Sequence, residues 1–301
     1  MDQIAAMRVF ARVVEAGTFT RAADSLQMPK PSVTKLVQQL EAHLRVKLLQ
    51  RTTRRVTVTP EGAAYYERTS RVLAELEDIE SDLTHAQASP RGRLRVDIGS
   101  SLANRILIPA LPQFHARYPD IQLELGVSDR PVDLIGDGVD CVIRGGALMD
   151  QSLVARRVAQ LPYVSCATPD YLKRQGMPNE PADLMNGHRV VSYFSSLTGR
   201  PFPLRYVRGE ETFEINGHTA VAVNESTAHV TTILSGLGMA QTFAFMAKPY
   251  LDSGELVEVL PGWEPPPHPV YVVYPPNRHL SAKLRAFVDW VVEVFTPYGT
   301  A

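Results

Sequence analysis

The sequence of 301 residues predicts an α/β protein with a mainly helical N-terminal head, one long helix, and a larger body of alternating strands and helices. Three observations carry that reading. Apolar residues keep helical spacing between residues 3 and 44. A three-four repeat of apolar and small residues then runs from Gly62 to Ala86. From Leu94 onward, short β-branched runs alternate with helical runs, an order that builds sheets covered by helices. The length suits two or three domains, and 45% hydrophobic with 21% charged residues is a globular composition. No apolar run is long enough for a membrane span. Arg8, Arg12 and Glu15 interrupt the apolar residues at the N-terminus, so no signal peptide is read there and the expected location is cytoplasmic.

In the head, Ile4, Met7, Phe10, Val13 and Val14 form one helical stripe. Gly17 ends that helix, and Thr18 caps a short second one through Ala22, Ala23 and Leu26. Met28-Pro29-Lys30-Pro31 reads as a turn, because a helix begins at such prolines but does not continue through them. A third helix is expected from about Pro31 to Leu44, with Val33, Leu36, Val37, Leu40 and Leu44 inward. Residues 46–59 alternate apolar and polar and read as two strands joined near Thr52 to Arg54. Three helices and a hairpin make a winged helix-turn-helix, whose helix after the turn enters the major groove of double-stranded DNA.

Charge agrees with that reading. The net charge is only −1, but residues 1–60 carry ten basic side chains against four acidic ones, leaving 21 basic and 28 acidic for the rest. A basic head on an acidic body points to a polyanion met by the head alone. On the third helix, Lys30, Ser32, Thr34, Lys35 and Gln38 face outward near the N-terminal end. Gln38 suits adenine, Lys35 suits guanine or phosphate, and the Thr34 methyl suits thymine. Arg51, Arg54 and Arg55 in the hairpin suit phosphates or a narrow minor groove. Thr20 and Arg21 open the second helix, where a phosphate is well received.

Thr59-Pro60-Glu61 is a strong helix start, with a capping hydroxyl, a proline at the first position and an early acid. The helix behind it carries Gly62, Tyr65, Thr69, Val72, Leu76, Ile79, Leu83 and Ala86 at alternating spacings of three and four. That is a dimerisation seam, with Tyr65, Val72, Leu76, Ile79 and Leu83 as its main contacts. The other reading is an amphipathic helix lying on its own domain. Ser89-Pro90-Arg91-Gly92 breaks the helix. Three domains follow: a head of 1–59, a linker helix of 60–89 and a body of 90–301.

In the body, strand 94–98, a helix through Leu102, Ile106, Leu107, Leu111 and Phe114, strand 121–127, a short helix near 131–136 and strand 139–144 predict a parallel sheet. A second unit begins at 163–167. It includes strand 189–193, a turn at Asn216-Gly217, strand 219–223 and a helix around 226–236. Strand 270–274 and a helix around 281–295 close the chain.

Enzymatic readings find little support. HExxH, CxxC and GxSxG motifs are missing, the eight histidines do not cluster at metal-ligand spacing, and no cofactor is implied. Gly236-Leu237-Gly238-Met239-Ala240-Gln241 fails the dinucleotide fingerprint at its last position. Catalytic and metal-ligating residues are therefore not assigned. An architectural DNA binder would not need so large a body. Cys141 and Cys166 read as core thiols, with a redox pair as the alternative.

In combination these features resemble the LysR-type transcriptional regulators. The head carries Phe10, Ala16-Gly17-Thr18-Phe19, Ala22-Ala23, Leu26, Pro31-Ser32-Val33-Thr34, Leu40-Glu41, Leu48-Leu49 with Arg51, and Val58-Thr59-Pro60-Glu61-Gly62. Past the head come Pro90, Gly92 and Leu94, Pro109, Phe114, Tyr118-Pro119, Asp140 to Gly145, Pro169, Tyr171-Leu172, Gly236, Gly238, Gly254 and Leu256-Val257. Two departures stand out. Pro29 replaces the serine that usually caps the recognition helix, so the cap must come from elsewhere or the helix must start later. Met239-Ala240-Gln241-Thr242-Phe243 stands where many members have an apolar pair ending in proline.

The resemblance implies a two-lobed, periplasmic-binding-protein-like body that binds a small effector between lobe one (about 92–162 and 266–301) and lobe two (about 163–265). It also implies dimers and tetramers, promoter DNA as a partner, and RNA polymerase as a further one. Effector candidates lie at strand ends, where helix N-termini point. They are Ser100, Ser101 and Leu102 after the first strand, Ser128 after the second, Arg144 at the end of the third, and Ser192, Phe194, Asn224 and Thr242 in lobe two. Free N–H groups at Ser100 and Ser101 would suit a carboxylate, which points to an anionic metabolite. Helix capping by the two serines and an ion pair at Arg144 are the alternatives.

Overall fold

The computed structural model describes residues 1–51, 56–84, 90–134, 136–146, 153–276 and 280–299, with Arg51 and residues 71, 74, 75 and 77–84 described at the backbone only. The chain divides into two compact units, Met1–Ala88 and Ser89–Ala301.

In the first unit, α1 (Gln3–Ala16) is capped by Asp2, whose carboxylate accepts the Ala5 N–H at 3.0 Å. It ends at Gly17, whose φ of 70° suits a residue without a Cβ. Thr18 caps α2 (Phe19–Ser25) by accepting the Arg21 N–H at 3.2 Å. The third helix, α3, spans Lys30–Leu44 and starts without a side-chain cap. It neither finds a substitute cap nor starts later. The Pro29 carbonyl accepts the N–H groups of Ser32 and Val33 at 2.9 and 3.2 Å, and Pro31 sits in the first turn, where a missing N–H costs nothing.

Strands β1 (Leu49–Arg51) and β2 (Val56–Val58) form an antiparallel hairpin with Leu49 opposite Val58. Thr59 then caps α4 (Pro60–Thr84), its hydroxyl accepting the Gly62 N–H at 2.9 Å. Phe10, Val13, Ala22, Val33, Val37, Leu40 and Leu48 are buried together at the centre of this unit.

In the second unit, β3 (Gly92–Ile98), β4 (Ile121–Val127), β5 (Cys141–Gly145), β6 (Val154–Leu161) and β14 (His268–Tyr274) form one sheet of order β4-β3-β5-β14-β6. Its β4-β3-β5 part is parallel, as expected, but β14 runs antiparallel to both its neighbours, so the sheet is mixed. After β3 a continuous helical run begins with α5 (Ser100–Leu102), passes through a π-turn (Ala103–Leu107) and continues as α6 (Ile108–Arg117). Pro109 and Pro112 supply no N–H to the preceding turn, and the π-turn absorbs the mismatch. The helix expected near 131–136 is absent among the described residues. Asp133 instead holds turns there, accepting the Gly136 N–H at 3.0 Å, between Pro131 and Gly138.

The remaining elements build a second layer. They are β7 (Tyr163–Ala167), α7 (Pro169–Gln175), β8 (Arg189–Tyr193), β9 (Leu204–Arg208), β10 (Glu211–Ile215), β11 (His218–Val223), α8 (Ser226–Leu234), β12 (Ala240–Phe243), α9 (Ala244–Ser253) and β13 (Val257–Glu258). Strand β8 pairs in parallel with β11 and bridges in parallel to Met239 just before β12, while β7 lies antiparallel between β12 and β13. The order β11-β8-β12-β7-β13 repeats the parallel-then-antiparallel plan of the first sheet. Helix α10 (Ala282–Phe295) returns to the first sheet and buries Phe287, Trp290 and Phe295 against it.

The chain passes between the two sheets twice, at Pro162 and between Glu258 and His268. The passes meet at the first sheet, where Leu161 faces His268, whereas on the way from the second sheet the later one bridges to Val207 of β9 through Glu264.

Candidate functional site

On α3 the buried residues Val33, Val37 and Leu40 fix which face turns outward. Lys30, Lys35 and Gln38 are exposed, and Ser32 and Thr34 are half-buried beside them. Thr20 and Arg21 are exposed at the start of α2. Arg51 lies in β1, whereas Arg54 and Arg55 fall outside the described residues.

Glu41, in the last turns of α3, carries a role that sequence reasoning passed over. It is 4% exposed, and its carboxylate accepts the N–H groups of Leu48 and Leu49 at 3.0 and 3.2 Å and the Lys47 ammonium at 3.0 Å. Burial alone would raise its pKa, but Lys47 and the two amides outweigh that effect and hold the carboxyl below its ordinary value. The base of the hairpin is thereby tied to the outward-facing helix.

Part of the α4 stripe is used within the unit. Tyr65 packs on Phe10 with ring centroids 5.7 Å apart, and Thr69 is buried. Tyr65 is thus a side chain of the unit's own interior, where α4 crosses α1. Val72 is 49% exposed and Leu76 is half-buried; the side chains of Ile79 and Leu83 lie outside the described residues.

In the second unit, Ser100, Ser101 and Leu102 are buried at the end of β3. The amides of the two serines are not free. Ser100 donates to Asp129 Oδ1 at 2.6 Å, and Ser101 donates to Ser226 Oγ at 3.1 Å. Ser128 accepts the Arg130 N–H at 3.0 Å, a turn that carries Asp129 inward. The other carboxylate oxygen of Asp129 accepts the Ser226 N–H at 2.6 Å and the Tyr193 hydroxyl at 3.2 Å. That hydroxyl lies equally 3.2 Å from the Asn224 carbonyl oxygen. Residues that end or follow strands of both sheets therefore meet at one carboxylate. Burial beside Asp129 pushes the Tyr193 hydroxyl well above its ordinary pKa, so it stays protonated.

Arg144 is paired with Asp97, and its guanidinium also donates to the Arg130 carbonyl at 3.2 Å. An ion pair is thus present at this residue, while its buried Nε has no hydrogen-bond partner. Burial raises the Asp97 pKa more than Arg144 lowers it, and burial also lowers that of Arg144. Gly126 faces Asp97 across the β3–β4 ladder, where a Cβ would stand 2.5 Å from the carboxylate.

Other candidates lie apart from the Asp129 cluster. The Ser192 hydroxyl is 2.9 Å from that of Thr219 on β11, and Thr242 is buried in β12 opposite Val164. Phe194 is half-buried and bridges to Pro201. Where the chain passes between sheets, Tyr163 stacks on Phe243 at 4.7 Å, with His268 5.5 Å from both rings. Asp129, Tyr193 and Ser226 were missed. The only signal for Asp129 was its place directly after a strand-end serine. Among the described residues, no group of three or more His, Cys, Asp or Glu side chains is arranged to hold a metal, and no helix is long and apolar enough to cross a membrane.

Comparison with known proteins matches residues 4–63 to the bacterial regulatory helix-turn-helix protein, lysR family, and residues 87–296 to the LysR substrate binding domain. An HTH-type transcriptional repressor from Pseudomonas aeruginosa is 41% identical over 98% of this chain and 93% of its own length. The HTH-type transcriptional activator AaeR of Escherichia coli is 35% identical over 99% of this chain and 96% of its own. Among solved structures, the LysR-type transcriptional regulator CrgA from Neisseria meningitidis aligns with a TM-score of 0.60 at 30% identity, covering 96% of this chain and 97% of that one. The Vibrio cholerae virulence activator AphB, a member of the LTTR family, aligns at 0.58 and 28% identity over 96% and 98%.

Proposed function

The chain belongs to the LysR family of transcriptional regulators, a DNA-binding regulator with an effector-binding domain, and from that premise we propose which residues do the work. Helix α3 enters the major groove. Gln38, Lys35 and Thr34 read base edges, while Lys30, Ser32, Thr20 and Arg21 engage phosphates. Arg51, Arg54 and Arg55 of the wing lie along the backbone or minor groove. The observation that carries this reading is the exposed face of Lys30, Lys35 and Gln38 on the helix after the turn, backed by a buried apolar face.

Two chains pair through the outer part of α4, with Val72, Leu76, Ile79 and Leu83 as contacts, and set two recognition helices roughly 34–36 Å apart on the DNA. The effector site is the lobe junction around Ser100, Ser101, Ser128, Arg144, Asn224 and the neighbouring aromatic rings. A ligand that binds one quaternary state better shifts the DNA affinity by linkage. Tetramers of such dimers and RNA polymerase are the further partners, a cytoplasmic place of action follows from the DNA target, and the protein regulates rather than catalyses.

A gel shift with DNA from upstream of the chain's own gene tests the proposal. Specific retardation that weakens steeply with salt is expected. Equal retardation of unrelated DNA, or affinity indifferent to ionic strength, would refute it.

A further inference from the structure

At the end of β4, Asp129 divides its carboxylate between the two lobes. One oxygen accepts the Ser100 N–H of lobe one at 2.6 Å; the other accepts the Ser226 N–H of lobe two at 2.6 Å and the Tyr193 hydroxyl at 3.2 Å. Ser100 and Ser226 each open a helical segment, so their N–H groups have no partner within it. Short N–H bonds to a carboxylate are the strong kind. They are also the bonds that an incoming carboxylate would make.

Apart from Arg144 Nε, which is buried without a partner, the nearby donors described next are already engaged. Arg144 is engaged by Asp97, and the Glu225 carboxylate already accepts the next two amides of α8, those of Thr227 and Ala228, at 2.9 and 2.7 Å. Asp97, Asp129 and Glu225 thus stand against one guanidinium at this junction.

We infer that Asp129 is a built-in occupant of the anion position at the lobe junction. It latches the lobes together when no ligand is present, and a carboxylate-bearing effector takes that position only by displacing it. Exchange of one carboxylate for another gains little by itself. Selection therefore falls on the rest of the ligand, and small carboxylates are excluded. This inference rests on reading the junction as the effector site, but its test requires no effector.

The full-length protein and its Asp129→Ala variant are melted in sodium acetate and in sodium chloride of equal ionic strength. Acetate serves as the probe for the vacated position. The variant is expected to melt below the parent in chloride and to regain about 2–4 °C in acetate, while the parent does not move. An equal rise in both proteins, or no rise in the variant, overturns the inference.

If Asp129→Ala does not fold, Asp129→Asn keeps the shape and one acceptor oxygen. Hydrogen exchange then reports the latch. At least one of the Ser100 and Ser226 amides is expected to lose on the order of tenfold protection while β3 keeps its own. Unchanged protection at both amides overturns the inference. A failed acetate rescue would leave ligand-controlled DNA binding intact. A regulator indifferent to every ligand would leave the latch standing.

Discussion

Removing the Glu41 carboxylate takes away the acceptor to which Leu48 and Leu49 donate and leaves those amides buried. Glu41→Ala is therefore expected to destabilise the N-terminal unit by about 2–4 kcal/mol in urea unfolding, and Glu41→Gln by less, because it keeps an acceptor oxygen. The same group sets an acid limit. Its folded pKa lies below the ordinary 4.5, so its stabilisation is present above that value and is lost as pH falls through the folded value. In the second unit, burial lowers the pKa of His229 and His268 below 6.5, and His229 Nε2 lies 3.0 Å from the Val191 carbonyl. Neutral histidines of this kind stabilise fully above 6.5 and progressively less as pH falls below it. Calorimetry should accordingly find the second unit losing stability as pH falls below 6.5, ahead of the first. Cys141 and Cys166 are buried, and burial pushes the Cys166 thiol up to about 12 and that of Cys141 well above its ordinary value. Both are expected to resist a disulfide-forming thiol reagent until the protein is unfolded; rapid native labelling would revive the redox reading.

Among the elements, α3 separates two kinds of contact. Lys35→Ala should weaken binding to all DNA sequences and reduce the salt slope by about 1, whereas Gln38→Ala should cost about 1–3 kcal/mol at its preferred site only. Where α4 starts, a Cβ at Gly62 would collide with the Leu48 backbone oxygen. Gly62→Ala should cost about 1–3 kcal/mol through displacement of the hairpin, visible as a lower urea midpoint. Elements with local punctuation were readable in the sequence. Gly17, Thr18 and Thr59-Pro60 mark ends through their own backbone chemistry, and strands 121–127, 163–167 and 189–193 have unbroken patterns. By contrast, Arg156 and Arg157 interrupt the pattern of β6, and Pro249 lies inside α9. The stretch after Pro131 imitates a helix in composition, but Asp133 holds a turn there by accepting the Gly136 N–H. The junction was half visible. Ser100, Ser101 and Arg144 betray themselves at strand ends, but Asp129 meets Ser226 across 97 positions of sequence, a pairing that only tertiary structure creates.

For the whole molecule, the stripe on α4 divides in two. Its inner part packs on α1 through Tyr65, and the outer part, proposed as the dimer seam, begins at the exposed Val72. Replacing Val72 and Leu76 together by Glu should yield monomers in sedimentation, with the N-terminal unit still folded and operator affinity sharply reduced. A pair that stays dimeric would move the interface elsewhere. The two adjacent passes between the sheets of the body, at Pro162 and ahead of His268, have a mechanical meaning. Side by side where they leave the first sheet, they favour folding about the line that crosses them over torsion, which would shear the pairing of Leu161 with His268. Ligands that turn one plate against the other are therefore expected to differ in how far the door swings rather than in the direction of its swing, which scattering profiles taken with different ligands would check.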